Sequence, residues 1–202
     1  MGTTLGPVGR FIVLEGGEGV GKSTQAAALA RHLGAVLTRE PGGTALGEAL
    51  RDLLLGPARP APVARAETLL MLAARAQHVA EVIEPALARG EDVVCDRYSG
   101  STLAYQGYGR GLELGDLNDL DRWASGGRAP DLVILLDLPV ERARRRRAGS
   151  APDRIEGEGE EFLERVQAGF RELAAAAPGR WKVVDASGDV AEVAAAVRAA
   201  VE

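Results

Sequence analysis

Gly16-Gly17-Glu18-Gly19-Val20-Gly21-Lys22-Ser23 stands between Phe11–Glu15 (FIVLE), a continuous apolar run, and Lys22–Leu33, an Ala/Leu-patterned stretch closed by Gly34. The run reads as a buried parallel strand and the stretch as a helix. A Gly, four variable residues, Gly, Lys and Ser between a strand and a helix form a phosphate-binding loop. The backbone N–H groups from Gly16 through Ser23 to Thr24 would converge on a phosphate, because a helix N-terminus leaves its first amides unpaired. Lys22 would reach the β/γ-phosphates and Ser23 would hold Mg²⁺. By chance this pattern arises in about 0.002 of sequences of this composition. The expected ligand is a nucleoside triphosphate with Mg²⁺.

Strand and helix patterns alternate along the rest of the chain. Strands are expected at 36–38, 92–96, 132–137 and 181–185. Helices are expected at 45–55, 64–88, 103–106, 117–124, 140–147, 162–177 and 190–201, with Pro85 bending or shortening the second of these. This alternation predicts an α/β class, a single-domain P-loop fold whose five-stranded parallel sheet has helices on both faces. Ligands of such sheets sit at the carboxyl ends of the strands. With 202 residues the chain fits one domain. Residues 1–9 read as a flexible tail, 10–202 as the domain, and about 142–157 as a basic lid.

Composition excludes several classes. A net charge of −5 argues against a dedicated nucleic-acid binder. The apolar runs are too short to cross a membrane, and residues 1–9 carry no secretory h-region. One cysteine, Cys95, allows neither an internal disulfide nor a zinc framework and fits a reducing cytoplasm. All but two of the 24 basic residues are arginines; one of the two lysines is Lys22, and the other, Lys182, is in Trp-Lys-Val-Val rather than the Asn-Lys-x-Asp element that reads guanine. That route to guanine specificity is missing.

Glu18 is out of place in this loop, because a carboxylate repels the phosphate the loop holds. A sugar hydroxyl or an arginine from a second substrate would satisfy it, the alternative being a side chain that simply points into water. Asp96-Arg97-Tyr98 follows the 92–96 strand. Asp96 is suited to a Mg²⁺-bound water and the fork of Arg97 to a phosphate, the alternative being a plain ion pair between them. Arg39 ends a neighbouring strand, and arginines at two strand ends suggest a second phosphate site. Met71 and Arg75 share a helix face at i, i+4. Arg142, Arg144, Arg145, Arg146, Arg147 and Arg154, broken by Gly149, Ser150 and Pro152, form the lid segment, which is either a solvated face or a mobile cover for a triphosphate. One well-placed arginine there is worth ~10³–10⁵ in rate.

Six blocks together resemble thymidylate kinases of the bacterial type, within the P-loop nucleoside monophosphate kinases. They are the loop with Glu18; Thr38-Arg39-Glu40-Pro41-Gly42-Gly43; Leu50-Arg51; Asp96-Arg97-Tyr98; Ala104-Tyr105-Gln106-Gly107-Tyr108-Gly109-Arg110-Gly111; and Asp153-Arg154-Ile155-Glu156. The resemblance implies transfer of the ATP γ-phosphate to thymidine 5′-monophosphate, a step toward dTTP for DNA replication, by a homodimer using Mg²⁺. It puts Glu18 near the deoxyribose 3′-hydroxyl and Arg39, Arg51 and Arg97 around the monophosphate. It directs Arg75 at the thymine edge and lines the nucleoside pocket with Ser101, Thr102, Tyr105 and Gln106. In the lid, Arg146 is the best match for the catalytic arginine. Met71 stands where relatives usually stack a phenylalanine on thymine, and a thioether packs on a ring less specifically. Rival readings are a kinase for another monophosphate and an ATP-hydrolysing binding protein. His32 and His78 are expected on helix surfaces and Cys95 in apolar packing, none with a chemical role.

Overall fold

The computed structural model describes residues 8–56, 61–146, 154, 155 and 157–202. Five strands, β1 (Phe11–Glu15), β2 (Val36–Arg39), β3 (Val93–Asp96), β4 (Leu132–Asp137) and β5 (Trp181–Asp185), form one parallel sheet in the order β2-β3-β1-β4-β5. The parallel, five-stranded sheet matches the expectation. After β1 the chain builds one side of the sheet and, after β3, crosses to the other, so the carboxyl ends of β1 and β3 lie beside the switch point. Register puts Leu14 opposite Asp96, and Arg39 opposite Asp96 from the far side.

The period of a strand divides β1 between two cores. Ile12 and Leu14 pack with Val94 and Ile134 under α1 (Lys22–Leu33) and α9 (Val190–Ala199). Phe11 and Val13 pack on the other face with Val93, Cys95 and Ile83. A third cluster joins Tyr105 and Leu135 to Phe162, Val166 and Phe170 of α8 (Glu160–Ala176). Each such side chain contributes roughly 1.5–3 kcal/mol by leaving water.

Helix α1 has the expected bounds and ends at Gly34, whose left-handed φ of 66° lets its N–H return to Ala30. Thr44 caps α2 (Ala45–Leu55) by accepting from the Gly47 N–H at 2.9 Å. The single helix expected over 64–88 is instead three segments: α3 (Ala64–His78), a π-helical turn (Val79–Ile83) and α4 (Glu84–Ala88). Pro85 has no N–H to give the preceding turn, and the wider turn, in which Glu84 bonds Val79, comes directly before it. Helix α5 (Ser99–Thr102) starts before the expected 103–106 and runs into a second π-helical stretch, Leu103–Gly109. Helices α6 (Leu114–Ala124) and α7 (Val140–Arg146) follow, the first starting three residues earlier than 117–124 suggested.

Some expected features lie elsewhere. Gly9, assigned to the tail, is buried; its N–H bonds the Leu87 carbonyl at 3.3 Å. The rest of the tail through residue 7 lies outside the described residues, as do 57–60 and, of the lid, 147–153 and 156. The lid's first residues, 142–146, complete α7.

Gly169 on α8 faces Tyr108 so closely that a β-carbon there would lie 2.5 Å from the ring. Gly169→Ala is expected to destabilise the fold by about 1–3 kcal/mol through overpacking, read as a lower denaturant midpoint at unchanged slope.

Candidate active site

Gly16 turns the chain out of β1 at φ 143°, and a β-carbon there would lie 2.6 Å from the Leu136 carbonyl oxygen. Only glycine fits that approach. Buried Val20 anchors the loop in the core. At Gly21 the backbone is again left-handed, and α1 begins with neither a side-chain cap nor an acidic residue in its first turn. Its leading amides and positive dipole end are therefore left for an anion. Lys22 bends back to donate to the Gly17 carbonyl at 2.6 Å. Burial, helped by Arg97, pulls the Lys22 pKa down against the pull of Glu18 and Asp96. An arriving phosphate would favour its charged form.

Ser23 donates its hydroxyl to Asp96 Oδ2 at 2.5 Å, while buried Asp96 Oδ1 has no hydrogen-bond partner among the described residues. Among those residues no group of three or more His, Cys, Asp and Glu could hold a metal by itself. One hydroxyl and one carboxylate with an unsatisfied oxygen fit Mg²⁺, which takes few protein ligands and completes its shell with phosphate oxygens and water.

Arg97, at φ 73°, is the one non-glycine residue with positive φ among those described. That conformation costs about 1–2 kcal/mol and needs support. Its N–H donates to the Leu14 carbonyl at 3.0 Å, the Cys95 thiol donates to its carbonyl at 3.0 Å, and the next amide, of Tyr98, donates to Glu15 Oε1 at 3.0 Å. Glu15 is fully buried and also accepts from the N–H and hydroxyl of Ser101 at 2.9 and 2.6 Å. Burial raises the Glu15 pKa, with the Ser101 hydrogen bond and Arg97 opposing.

The Arg97 guanidinium spans the two halves of the site. Nη1 donates to the Gly16 carbonyl at 3.0 Å and to Ser101 Oγ at 2.9 Å; Nη2 donates to the Tyr105 hydroxyl at 3.1 Å and pairs with Glu18. Glu18 also accepts from the Tyr105 hydroxyl at 3.0 Å. The out-of-place carboxylate thus faces an arginine of its own chain, and Asp96 pairs with Ser23 instead of with Arg97. Burial works against the Arg97 charge, but Glu18, Tyr105, Asp96 and Glu15 together outweigh it and hold the guanidinium protonated.

Every residue expected around the acceptor except Arg39 lines one cleft. Arg51 reaches the Pro41 carbonyl at 2.9 Å. Met71, Thr102 and Gln106 line the cleft with Arg75. Arg39 ends an edge strand, stays half exposed and pairs with Glu48 at 2.9 Å. Arg75 is 3% exposed. Its Nε donates to Glu40 Oε2 at 2.8 Å, Nη1 donates to Thr102 and Asp121 at 3.0 and 2.5 Å, and its fork lies 4.7 Å from the Tyr98 ring centre. Nη2 meets Glu40 at 2.8 Å and retains an N–H for a ligand acceptor.

The sequence reading assigned no role to Glu40, Pro41 or Asp121. Glu40 was visible beside Arg39 in the Thr-Arg-Glu-Pro block, but nothing local announces that it reaches a helix 35 residues away. His78 is not on a helix surface: it is fully buried against Glu40 and Thr38. Its spacing from Arg75, i and i+3, was the available signal. His32 is exposed and Cys95 buried, as expected. Arg146 does not line the cleft; it donates to the carbonyls of Ser187 and Gly188 at 3.3 and 3.0 Å. Of the other lid arginines, Arg154 bonds the Leu54 carbonyl at 2.8 Å and Glu67 at 2.5 Å, and Arg147 lies outside the described residues.

A family model described as thymidylate kinase matches residues 14–197. Thymidylate kinase of Synechococcus sp. (strain RCC307) is 54% identical over 190 residues, covering 89% of each chain. That of Pelotomaculum thermopropionicum is 50% identical over 186 residues, covering 89% of this chain and 86% of its own. The crystal structure of thymidylate kinase from Ehrlichia chaffeensis superposes with a TM-score of 0.82 at 30% identity, over 97% of this chain and all of that one. The family model over residues 14–197 and relatives at 50% identity or more across most of the chain show that the chain belongs to the thymidylate kinase family.

Proposed function

We propose that this chain transfers the γ-phosphate of ATP to thymidine 5′-monophosphate, giving thymidine diphosphate and ADP. The observation that carries this reading is the reach of Arg97, which touches the Gly16 carbonyl of the phosphate loop and Ser101 and Tyr105 of the cleft at once. A triphosphate tail in the loop and a monophosphate in the cleft would meet at that guanidinium.

In the transfer, an oxygen of the acceptor phosphate forms the new bond to the γ-phosphorus as the bond to the β,γ-bridging oxygen breaks. The acceptor is already an anion, so no general base is needed, and alignment and charge neutralisation do the catalysis. The α1 amides and Lys22 hold the donor, and Arg97 draws the acceptor phosphate into line. Ser23 and Asp96 would hold Mg²⁺, which would supply positive charge to the donor phosphates. As the phosphate takes Arg97, the Glu18 carboxylate is released for a hydroxyl of the sugar. Arg75 offers its remaining N–H to a carbonyl oxygen of the base, Met71 packs beside it, and Arg51 supports the phosphate end. Arg146 is the proposed lid arginine, leaving its two carbonyls for the transferring phosphate. The donor in this reading is ATP, and the chain lacks the Asn-Lys-x-Asp element that reads guanine.

Two further features complete the reading. Exposed Leu46 and Leu53 on α2, Leu69 on α3, and Leu120 and Trp123 on α6 put apolar surface on three helices packed one on the next, which supports a homodimer. No helix among the described residues is long and apolar enough to cross a membrane. A lone, buried thiol, Cys95, supports a cytoplasmic location.

In a coupled ADP-release assay, thymidylate is expected to stimulate ATP consumption far more than uridylate, adenylate or guanylate; equal rates with any of these, or none with thymidylate, would reject the reading. In that assay Arg97→Ala should lose about 10²–10³ in kcat/KM for thymidylate with an unchanged circular dichroism spectrum. Ser23→Ala should raise the Mg²⁺ concentration for half-maximal rate about tenfold or more, whereas a wild-type Mg²⁺ titration in the variant would remove Ser23 from the metal site. Sedimentation equilibrium should give twice the chain mass, and Trp123→Glu a shift toward the single chain.

A further inference from the structure

The acceptor reading leaves one buried titratable group without a task. His78 is the last residue of α3, one turn beyond Arg75 on the same face. Its ring is 0% exposed. Nδ1 lies 2.9 Å from Glu40 Oε1, and Nε2 lies 2.6 Å from Thr38 Oγ1. Arg75 grips the other oxygen of the same carboxylate, Oε2, at 2.8 Å from Nε. Two residues of one helix turn therefore hold the two oxygens of one side chain on the loop after β2.

A paired carboxylate only accepts, so the proton between Glu40 and the ring resides on Nδ1. Nε2 meets a hydroxyl that can donate as well as accept, and the ring is satisfied at both nitrogens. The fit is close on its remaining side: a β-carbon on Gly43, whose φ is +79°, would lie 2.7 Å from Cδ2 and 2.8 Å from Thr38 Oγ1. The loop from Glu40 to Gly43 is thus shaped around this imidazole, and Glu40 and Pro41 of that loop line the cleft.

We propose that His78 is a positioning residue for the acceptor base: by holding Glu40 Oε1 it keeps the carboxylate from rotating, and so fixes the Arg75 guanidinium in the orientation from which it addresses the base. The proposal rests on the assignment of the cleft to the acceptor nucleotide. Without His78, Oε1 would be buried and unpaired, and Glu40 could turn either oxygen to Arg75. Arg75 would then present its uncommitted N–H over a range of directions. Donor ATP, bound by the loop and α1, would not register the change.

The test has a kinetic and a spectroscopic arm. His78→Phe keeps the ring volume and removes both nitrogens, while His78→Asn keeps a donor near the Nδ1 position. His78→Phe should raise the KM for thymidylate about tenfold and leave the KM for ATP within about twofold, with partial preference lost between thymidylate and deoxycytidylate; His78→Asn should recover most of the difference. A lower kcat or melting temperature in both variants, with the KM for thymidylate and base preference unchanged, would make the role purely structural and overturn the proposal. The second arm uses the ¹⁵N-labelled wild-type protein, whose histidines are His32 and His78. The His78 Nδ1 should be protonated and slow to exchange with water; a bare Nδ1 overturns the proposal, whatever the variants do. Should the wild-type protein fail to phosphorylate thymidylate, the functional reading falls and the acceptor-positioning role of His78 falls with it, while the nitrogen spectrum separately decides whether His78 clamps Glu40.

Discussion

A carboxylate inside a phosphate-binding loop is stable only if a cation stands against it, and here the cation is Arg97. The pairing with Glu18 ties the loop after β1 to the loop after β3, so that the two anion sites are fixed relative to each other before either nucleotide arrives. The tether is possible because Arg97 adopts a left-handed backbone, held by the Leu14 carbonyl, the Cys95 thiol and the Glu15 carboxylate beneath it. A charge-assisted pair of this kind, largely buried, is strong where it is complete and costly where one partner is removed. In the proposed transfer the incoming phosphate would replace Glu18 at the same fork, so that the site would exchange one anion for another without burying a bare guanidinium.

The acceptor cleft repeats that solution. Arg75 is surrounded by Glu40, Asp121, Thr102 and the face of Tyr98, and all but one of its donors are spent on the protein. A long side chain with this many contacts gives up its rotamer entropy during folding rather than during binding, which is what pre-organisation means energetically. The remaining N–H can then act as a directional probe. Glu67 organises the neighbouring wall in the same way, accepting from Gln106, Arg110 and Arg154. Two carboxylates, Glu18 and Glu40, thus set the directions of Arg97 and Arg75, and Glu67 holds Gln106 of the cleft wall.

Much of this was legible in the sequence, because the loop, the strands and the arginines at strand ends obey short-range rules. FIVLE had to be a buried strand, Gly34 had to end α1, and Arg97 had to emerge beside the loop. What stayed hidden depends on contacts between distant segments. The burial of His78 comes from Glu40, 38 residues away, and from the space that Gly43 leaves, neither of which a helical wheel can register. The π-helical turns at Val79–Ile83 and Leu103–Gly109 likewise carry an ordinary apolar pattern over an altered pitch. Arg39 shows the opposite failing: its position at a strand end suggested the cleft, but an edge strand lets its side chain turn outward to Glu48. In the arginine-rich 142–147 run, no pattern distinguishes one guanidinium from the next, and Arg146 rests on the Ser187 and Gly188 carbonyls.

Cys95 lies directly under the left-handed turn, its thiol buried against the Arg97 carbonyl, and burial pushes its pKa well above that of a free thiol. Alkylating reagents and peroxide meet thiolate, so neither reaches this sulfur while the turn is formed. Its modification rate therefore clocks how often the floor of the site comes apart, and the chain carries its own single-probe gauge of local opening.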